Sequence, residues 1–488
     1  MSDDALAARL AELSPQERAS LRRRLAGRRS GGRAIPRRGP DDPVPMSFAQ
    51  WRLWFLEQLR PGTNAWNTPV AVRLHGSLDI EALRRSLQLL IERHATLRTV
   101  FLAPGGKPAP VLLGPEAAIE LPVLDAQDVR GEDLEATIQR FVDAEVGRPF
   151  NLESDLMLRA RLLRVAADQH VLVLIAHHIA CDGWSKGLLL QELGTAYEAL
   201  CAGRQPSLPE PVIDYADFAI WQRRSLEGEA VERLAAYWKE RLAGTAPALQ
   251  LPTDHPRPTT QGFRGAVQWL TVSSTVAGSV LALGRQEGAT PFMTLMAAFM
   301  ALLHAHSGQD DLLVGSPAAM RTHPELERVI GLFANTLVYR TSLAGRPSFR
   351  DLLRRVRETA IGAYEHQDMP FEKVVEAVKP PRDASRNPLV QVNMRVEGRE
   401  PELRLGALRS EPIPIDPGIA RFDLAIELGL TDDGFAGYLE YDTALFQSAT
   451  ATAFARGFVA ILEACAMAPD RPLEALEPVL AIRARSPL

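Results

Sequence analysis

The sequence predicts an α/β protein in two lobes, and three observations carry that expectation. Its 488 residues are too many for one ordinary core and suggest two lobes of roughly 200 residues each. Helix-period and strand-period stretches alternate along the chain, without the repeats of about 20–50 residues that mark a solenoid. Apolar residues make up 46% and charged residues 24%, the profile of a soluble globular protein.

The elements follow in chain order. Leu6, Leu10 and Leu13 fall at helical spacing, and Ser14, Pro15 and Glu17 make a capping box with proline at the first helical position. A short helix with Leu21 and Leu25 should then stop near Gly27. From Arg28 to Pro45 the Arg/Gly/Pro-rich chain has no apolar period and reads as a linker. Its arginines read as a solvated tether, because no aromatics interleave them as a nucleic-acid arm would require.

The body begins at Met46. Ile80 to His94 predicts a helix with Leu83, Leu87 and Leu90 on one face. Leu158 to Ala176 predicts a hairpin, with alternation along Leu158, Ala160 and Leu162, a turn at Ala167-Asp168-Gln169 and a buried return strand VLVLIA. The helix that follows carries Leu189, Leu193, Ala196, Tyr197 and Leu200 and ends near Gly203. The proline- and aromatic-rich stretch Leu200 to Gln261 reads as a connector with one helix, Val231 to Leu242. Thr290 and Pro291 cap a helix to His306 that Gly308 ends, and DLLVGS supplies another buried strand. The expected division is 1–45 for helix and linker, 46–220 for the first lobe, 221–258 for the connector and 259–488 for the second lobe.

Composition excludes several functions. A net charge of −5 is not that of a nucleic-acid binder. Three scattered cysteines (Cys181, Cys201, Cys465) make neither a disulfide framework nor a zinc site. The apolar run Pro291 to Leu303 falls short of the roughly 20 residues a membrane span needs. The opening MSDDALAARL is acidic where a secretory signal is basic. A cytoplasmic monomer without a membrane or nucleic-acid partner is the expectation.

Chemistry concentrates in HHIACDGWS, His177 to Ser185, where a buried strand ends and a helix begins. Such a junction presents side chains and free backbone N–H groups to a cleft. Adjacent histidines on extended backbone point to opposite sides, so one can face a substrate while the other packs. The same geometry disfavours a metal held by His177, His178, Cys181 and Asp182. A neutral imidazole suits proton transfer near neutral pH. Gly183 lets the chain turn tightly and brings backbone close to a substrate.

HHIACDGWS has company: SFAQWRLWFL (Ser47 to Leu56), RHATLRTVF (Arg93 to Phe101), YADFAIW (Tyr215 to Trp221), IGLFANTLVYR (Ile330 to Arg340), HQDMPFE (His366 to Glu372) and RDASRNPL (Arg382 to Leu389). In that order the seven resemble the motifs of the condensation domains of nonribosomal peptide synthetases, over nearly the whole chain from Met46 onward. Ala95 stands where the family usually has glutamate, and Cys181 where serine is commoner.

The resemblance implies two chloramphenicol acetyltransferase-like α/β lobes, a V-shaped pseudo-dimer with a central tunnel. Donor and acceptor peptidyl carrier proteins would each deliver a thioester on a phosphopantetheine arm; this chain would bind no cofactor itself. His178, the second histidine, would sit at the reaction, and both holding the acceptor amine and taking its proton are compatible with an imidazole there. His177 would orient or pack. Asp182 would form a structural ion pair, with Arg93 and Arg98 as candidate partners. Gly183 would offer its N–H to the developing oxyanion, and Trp184 and Ser185 would line or cap the tunnel. Arg340, Asp368 and Arg386 would make scaffold contacts. A floor loop would lie within Val314 to Asn335, and a latch crossing between lobes within Val396 to Asp423. The resemblance also leaves two rivals: an epimerisation domain, which keeps HHxxxDG, and a catalytically silent recruitment domain, whose damaged signature is not seen in the intact motif here. A heterocyclising relative is disfavoured because His177 stands where DxxxxD begins.

Overall fold

The structure, a computed structural model, describes residues 34–39, 42–244, 248–398 and 402–476. The helices expected around Leu10 and Leu21 lie outside these residues. The first lobe comprises α1 (Phe48–Leu59), β1 (Asn67–His75), α2 (Ile80–Arg93), β2 (Thr99–Leu102), β3 (Ala109–Leu112), β4 (Val123–Asp125), α3 (Glu132–Gly147), β5 (Leu158–Ala166), β6 (Gln169–His177) and α4 (Gly183–Cys201). Next come α5 (Tyr215–Ser225) and α6 (Glu229–Arg241). The remainder is β7 (Gly265–Ser273), α7 (Ser274–Gln286), α8 (Pro291–Ser307), β8 (Asp311–Ala318), β9 (Asn335–Ser342), α9 (Phe349–Glu365), α10 (Phe371–Val378), β10 (Val392–Glu397), β11 (Arg409–Pro412), β12 (Leu424–Thr431), β13 (Gly434–Asp442) and α11 (Ser448–Met467).

Local chemistry sets the boundaries. Asp79 caps α2 by accepting the Ala82 N–H at 2.9 Å. Thr290 caps α8 with Pro291 in its first turn, and Gly308 ends it in the left-handed region at φ 67°. The hairpin β5–β6 shows why VLVLIA is apolar without interruption. Leu172, Leu174 and Ala176 join the core under α2 and α4, while Val171, Val173 and Ile175 join the core with Phe141 and Val142 of α3. A strand covered on both faces has no polar side.

The two main sheets run β11-β1-β6-β5-β4 and β7-β13-β12-β10-β8-β9. The first contains a strand from far along the chain: after β10 the chain crosses over, pairs as β11 antiparallel to β1, and returns as β12, parallel to β10. On its way it passes α4 so closely that a side chain at Gly194 would collide with the Arg404 carbonyl. The crossing falls within the stretch where the latch was expected.

Two sequence readings need correcting. The connector was expected to hold one helix and has two. An Asp214–Asp217 capping box starts α5, and Trp238, Leu242 and Leu249 of the following stretch pack in the core of the second lobe. The second concerns membrane-length helices: beside Pro291 to Leu303, which falls short, α11, 20 residues, is long and apolar enough to cross a membrane by length and composition. Its Phe454, Phe458, Ile461 and Leu462 are buried in the core of the second lobe.

Candidate active site

A cavity of about 1800 Å³ lies between the lobes, with His178 and Gly183 on one wall and Arg395, Arg421, Glu427 and Glu440 on the other. Pockets for a single small ligand typically measure roughly 300–1,000 Å³, so this one has room for two substrates at once.

The two histidines have opposite tautomers, fixed by their neighbours. His177 is buried at the end of β6. Its Nδ1 accepts the Ile179 N–H at 3.2 Å, so its proton resides on Nε2, which donates to Glu57 Oε1 at 3.3 Å. Burial pushes His177 down to about 3 and Glu57 up to about 7, so the contact is a hydrogen bond from a neutral ring rather than an ion pair. His178 is half-buried and lines the cavity. Its Nδ1 lies 2.9 Å from the Cys181 carbonyl, which can only accept. The proton is therefore on Nδ1 and the lone pair on Nε2. Burial, then the nearby Arg421 charge, pushes His178 down to about 4, against smaller opposing effects of the Cys181 carbonyl and Asp182. The ring is uncharged at neutral pH.

Asp182 is buried and fully bonded. Oδ1 caps α4 by accepting the Ser185 N–H at 2.8 Å. Oδ2 accepts the N–H groups of Phe333 at 2.9 Å and Ala334 at 3.2 Å. Its cationic partner is Arg321, at 3.4 Å, and not the predicted Arg93 or Arg98. Arg93 instead pairs with Glu192 of α4 at 3.2 Å, and Arg98 donates to the Leu113 carbonyl at 2.5 Å. The physical reason is register: His94 of the same motif also binds Glu192, at 2.7 Å, which ties this end of α2 to α4 at a point away from Asp182. Arg321 lies beyond β8 in the expected floor loop and has no periodicity to advertise it.

Ser185 is also part of this join. Its Oγ donates to the Gly331 carbonyl at 2.9 Å and accepts from Arg321 at 2.7 Å, so it is buried rather than lining the cavity. Trp184 does line the cavity, half exposed, with Nε1 donating to the Glu327 carbonyl at 3.1 Å. At Gly183 a Cβ would stand 2.8 Å from Arg395 Nη2, so a side chain there would require the Arg395 guanidinium of the opposite wall to move. Arg340 makes bonds to Asp311 and to the carbonyls of Arg241 and Ala243. Asp368 is exposed, and Arg386 pairs with Asp383 at 2.9 Å on the cavity wall. The sequence reading missed Glu57, Arg321, Arg421 and Glu440. Only Glu57 left a signal, as an acidic residue at helical spacing from Leu53 and Trp54 in SFAQWRLWFLEQL.

Two α/β lobes joined by an exchanged strand, with an HHxxxDG loop at their shared cavity, define the chloramphenicol acetyltransferase-like architecture. The Condensation domain family matches residues 41–482, and the chain belongs to this family of nonribosomal peptide synthetase domains. It is 40% identical over 483 residues to phosphinothricin tripeptide synthetase PhsC of Streptomyces viridochromogenes, covering 97% of this chain and 44% of that protein. It is 38% identical over 458 residues to malpinin synthetase of Mortierella alpina, covering 94% of this chain and 6% of that protein. The chain thus spans less than half the length of these relatives. Among solved structures it resembles the X-domain from teicoplanin biosynthesis in complex with OxyB (TM-score 0.81, 30% identity, 91% of this chain and 98% of that one). It also resembles the first condensation domain of the calcium-dependent antibiotic synthetase with a substrate analogue (TM-score 0.75, 22% identity, 89% and 99%).

Proposed function

We propose that the chain forms an amide bond between a donor acyl or peptidyl thioester and the α-amine of an acceptor aminoacyl thioester. Both would arrive on phosphopantetheine arms of carrier proteins belonging to other parts of a synthetase. The observation that carries the reading is the uncharged His178 ring, its Nε2 lone pair unbonded among the described residues, at a cavity large enough for two substrates.

The low basicity of that ring shapes the mechanism. An imidazole near 4 does not strip a free ammonium, whose pKa is about 7.7–8.0. It accepts a hydrogen bond from the neutral amine and orients the nitrogen lone pair at the carbonyl carbon. Once the N–C bond forms, the nitrogen becomes cationic and strongly acidic. Nε2 then takes its proton and returns it to the departing pantetheine thiolate. The fully bonded Asp182 holds the loop and is given no chemical step.

The test is reconstitution with two loaded carriers: His178→Ala should abolish product at a nearly unchanged melting temperature, and full turnover by that variant would refute the role. A second reading is favoured by one observation, the likeness to an X-domain solved in complex with OxyB. In that case the domain recruits another protein, and carriers bind without product across a broad panel of loaded substrates.

A further inference from the structure

We propose that Arg421 is a further catalytic residue, its guanidinium stabilising the oxyanion that forms on the donor carbonyl. The inference rests on the amide-forming reading above.

Arg421 lies just before β12, half-buried on the cavity wall shared with His178. Its backbone is held from three sides. The N–H donates to Glu440 Oε1 at 3.1 Å, and the carbonyl accepts from Gln261 Nε2 at 2.8 Å and Asn387 Nδ2 at 2.5 Å. The head group is left free. It sits 5.6 Å from the centre of the Trp66 ring, and among the described residues it makes no hydrogen bond or ion pair. Arg395 and Arg386 on the same cavity differ, being paired with Glu397 and Asp383 respectively. The charge of the buried Glu440 carboxyl acts on the guanidinium from nearby without bonding it, so its N–H donors stay available, and a rigid backbone beneath it is what preorganised stabilisation needs.

Trp66 ties this cation to the reaction centre. Its ring lies under the Arg421 guanidinium, while its carbonyl accepts the backbone N–H of His178 at 2.8 Å. The charge is close enough to disfavour an imidazolium at His178. A charge of that sign favours an anion in the same space. The reaction makes one: the amine lone pair bonds to the thioester carbon, the C=O π pair moves to oxygen, and that oxyanion faces the guanidinium. When the C=O re-forms, the C–S bond breaks and the thiolate takes the amine's proton from His178. The products are an amide and a thiol.

The experiment compares wild type, Arg421→Met, Arg421→Lys and Arg421→Ala on the carrier pair that wild type condenses. Single-turnover rates are measured at saturating carriers, with melting temperatures alongside. Arg421→Met should be slowed about 10²–10³-fold, the usual loss of an oxyanion donor. Arg421→Lys should be slowed less, carrier KM should be little changed, and millimolar guanidinium should partly restore Arg421→Ala while leaving wild type unaffected. An unchanged single-turnover rate, or a loss confined to KM, would overturn the role; the latter would assign Arg421 to a substrate carboxylate or phosphate. Should Arg421→Met not fold, the lysine variant and the guanidinium rescue decide. Either failure leaves the amide-forming reading standing. No product from wild type on any carrier pair sinks both.

Discussion

His177 and Asp182 on one side, and His178 on the other, belong to one six-residue loop and face opposite fates. The inward pair is fully engaged: His177 bonds Glu57 and the Ile179 amide, and Asp182 bonds two amides of the floor loop, the Ser185 amide and Arg321. The cavity-facing ring has one nitrogen fixed by the Cys181 carbonyl and one unbonded among the described residues. Two identical rings thus carry opposite tautomers through local backbone geometry alone. Asp182 ties the two lobes together, His177 is locked within the first lobe, and the outward ring is kept available.

That contrast can be broken in several ways. Removing the free nitrogen, His178→Ala, should cost the most in activity, about 10²–10⁴-fold or more, with little loss of stability by thermal melting. Removing the inward anchor, Asp182→Ala, should destabilise the protein by about 3–5 kcal/mol, because Arg321 is left with an unpaired charge. A double-mutant cycle sharpens the point: Asp182 should couple to Arg321 and add independently with Arg93, within about 0.5 kcal/mol. Coupling to Arg93 instead would restore the sequence-based pairing.

Two smaller effects concern protons. If the amine must arrive neutral, the rate should climb with pH through the acceptor amine at about 7.7–8.0. No limb from an imidazole near 6.5 should appear, because burial and Arg421 hold His178 far below it. The smallest effect involves Glu57. Its folded pKa, about 7, lies above the usual carboxylate value, so the native state binds the extra proton and stability falls as pH rises from about 4.5 to 7. His177, depressed to about 3, acts in the opposite sense, its contribution growing as pH rises from 3 to about 6.5. Glu57→Gln should therefore gain on wild type through that upper window, on the order of 1 kcal/mol after screening, in melting curves taken at several pH values.

Much of this was legible in the sequence because the evidence is local. The caps at Thr290 and Gly308, the β5–β6 hairpin and the seven ordered motifs each occupy a short run of residues. The β11 crossing was expected only from the family resemblance, since RSEP has no strand pattern of its own. Long-range pairings were not legible. Arg321 approaches Asp182 across 139 positions, and nothing in RTHPELERV distinguishes it from Arg93 or Arg98. Arg421 and Glu440 meet where the β12–β13 pair brings the start of one strand beside the end of the other, a register the sequence did not reveal. The missed connector helix had a visible cue, the Asp214–Asp217 box, which the surrounding prolines obscured.

The ring of His178 is where the account is most exposed. Nitrogen-15 NMR of the side chain, titrated from pH 4 to 8 in the free protein, reads its charge and tautomer directly. The structure predicts a ring protonated on Nδ1 alone and uncharged down to about pH 5. A proton on Nε2 at neutral pH, or a ring that charges between pH 6 and 7, would contradict it.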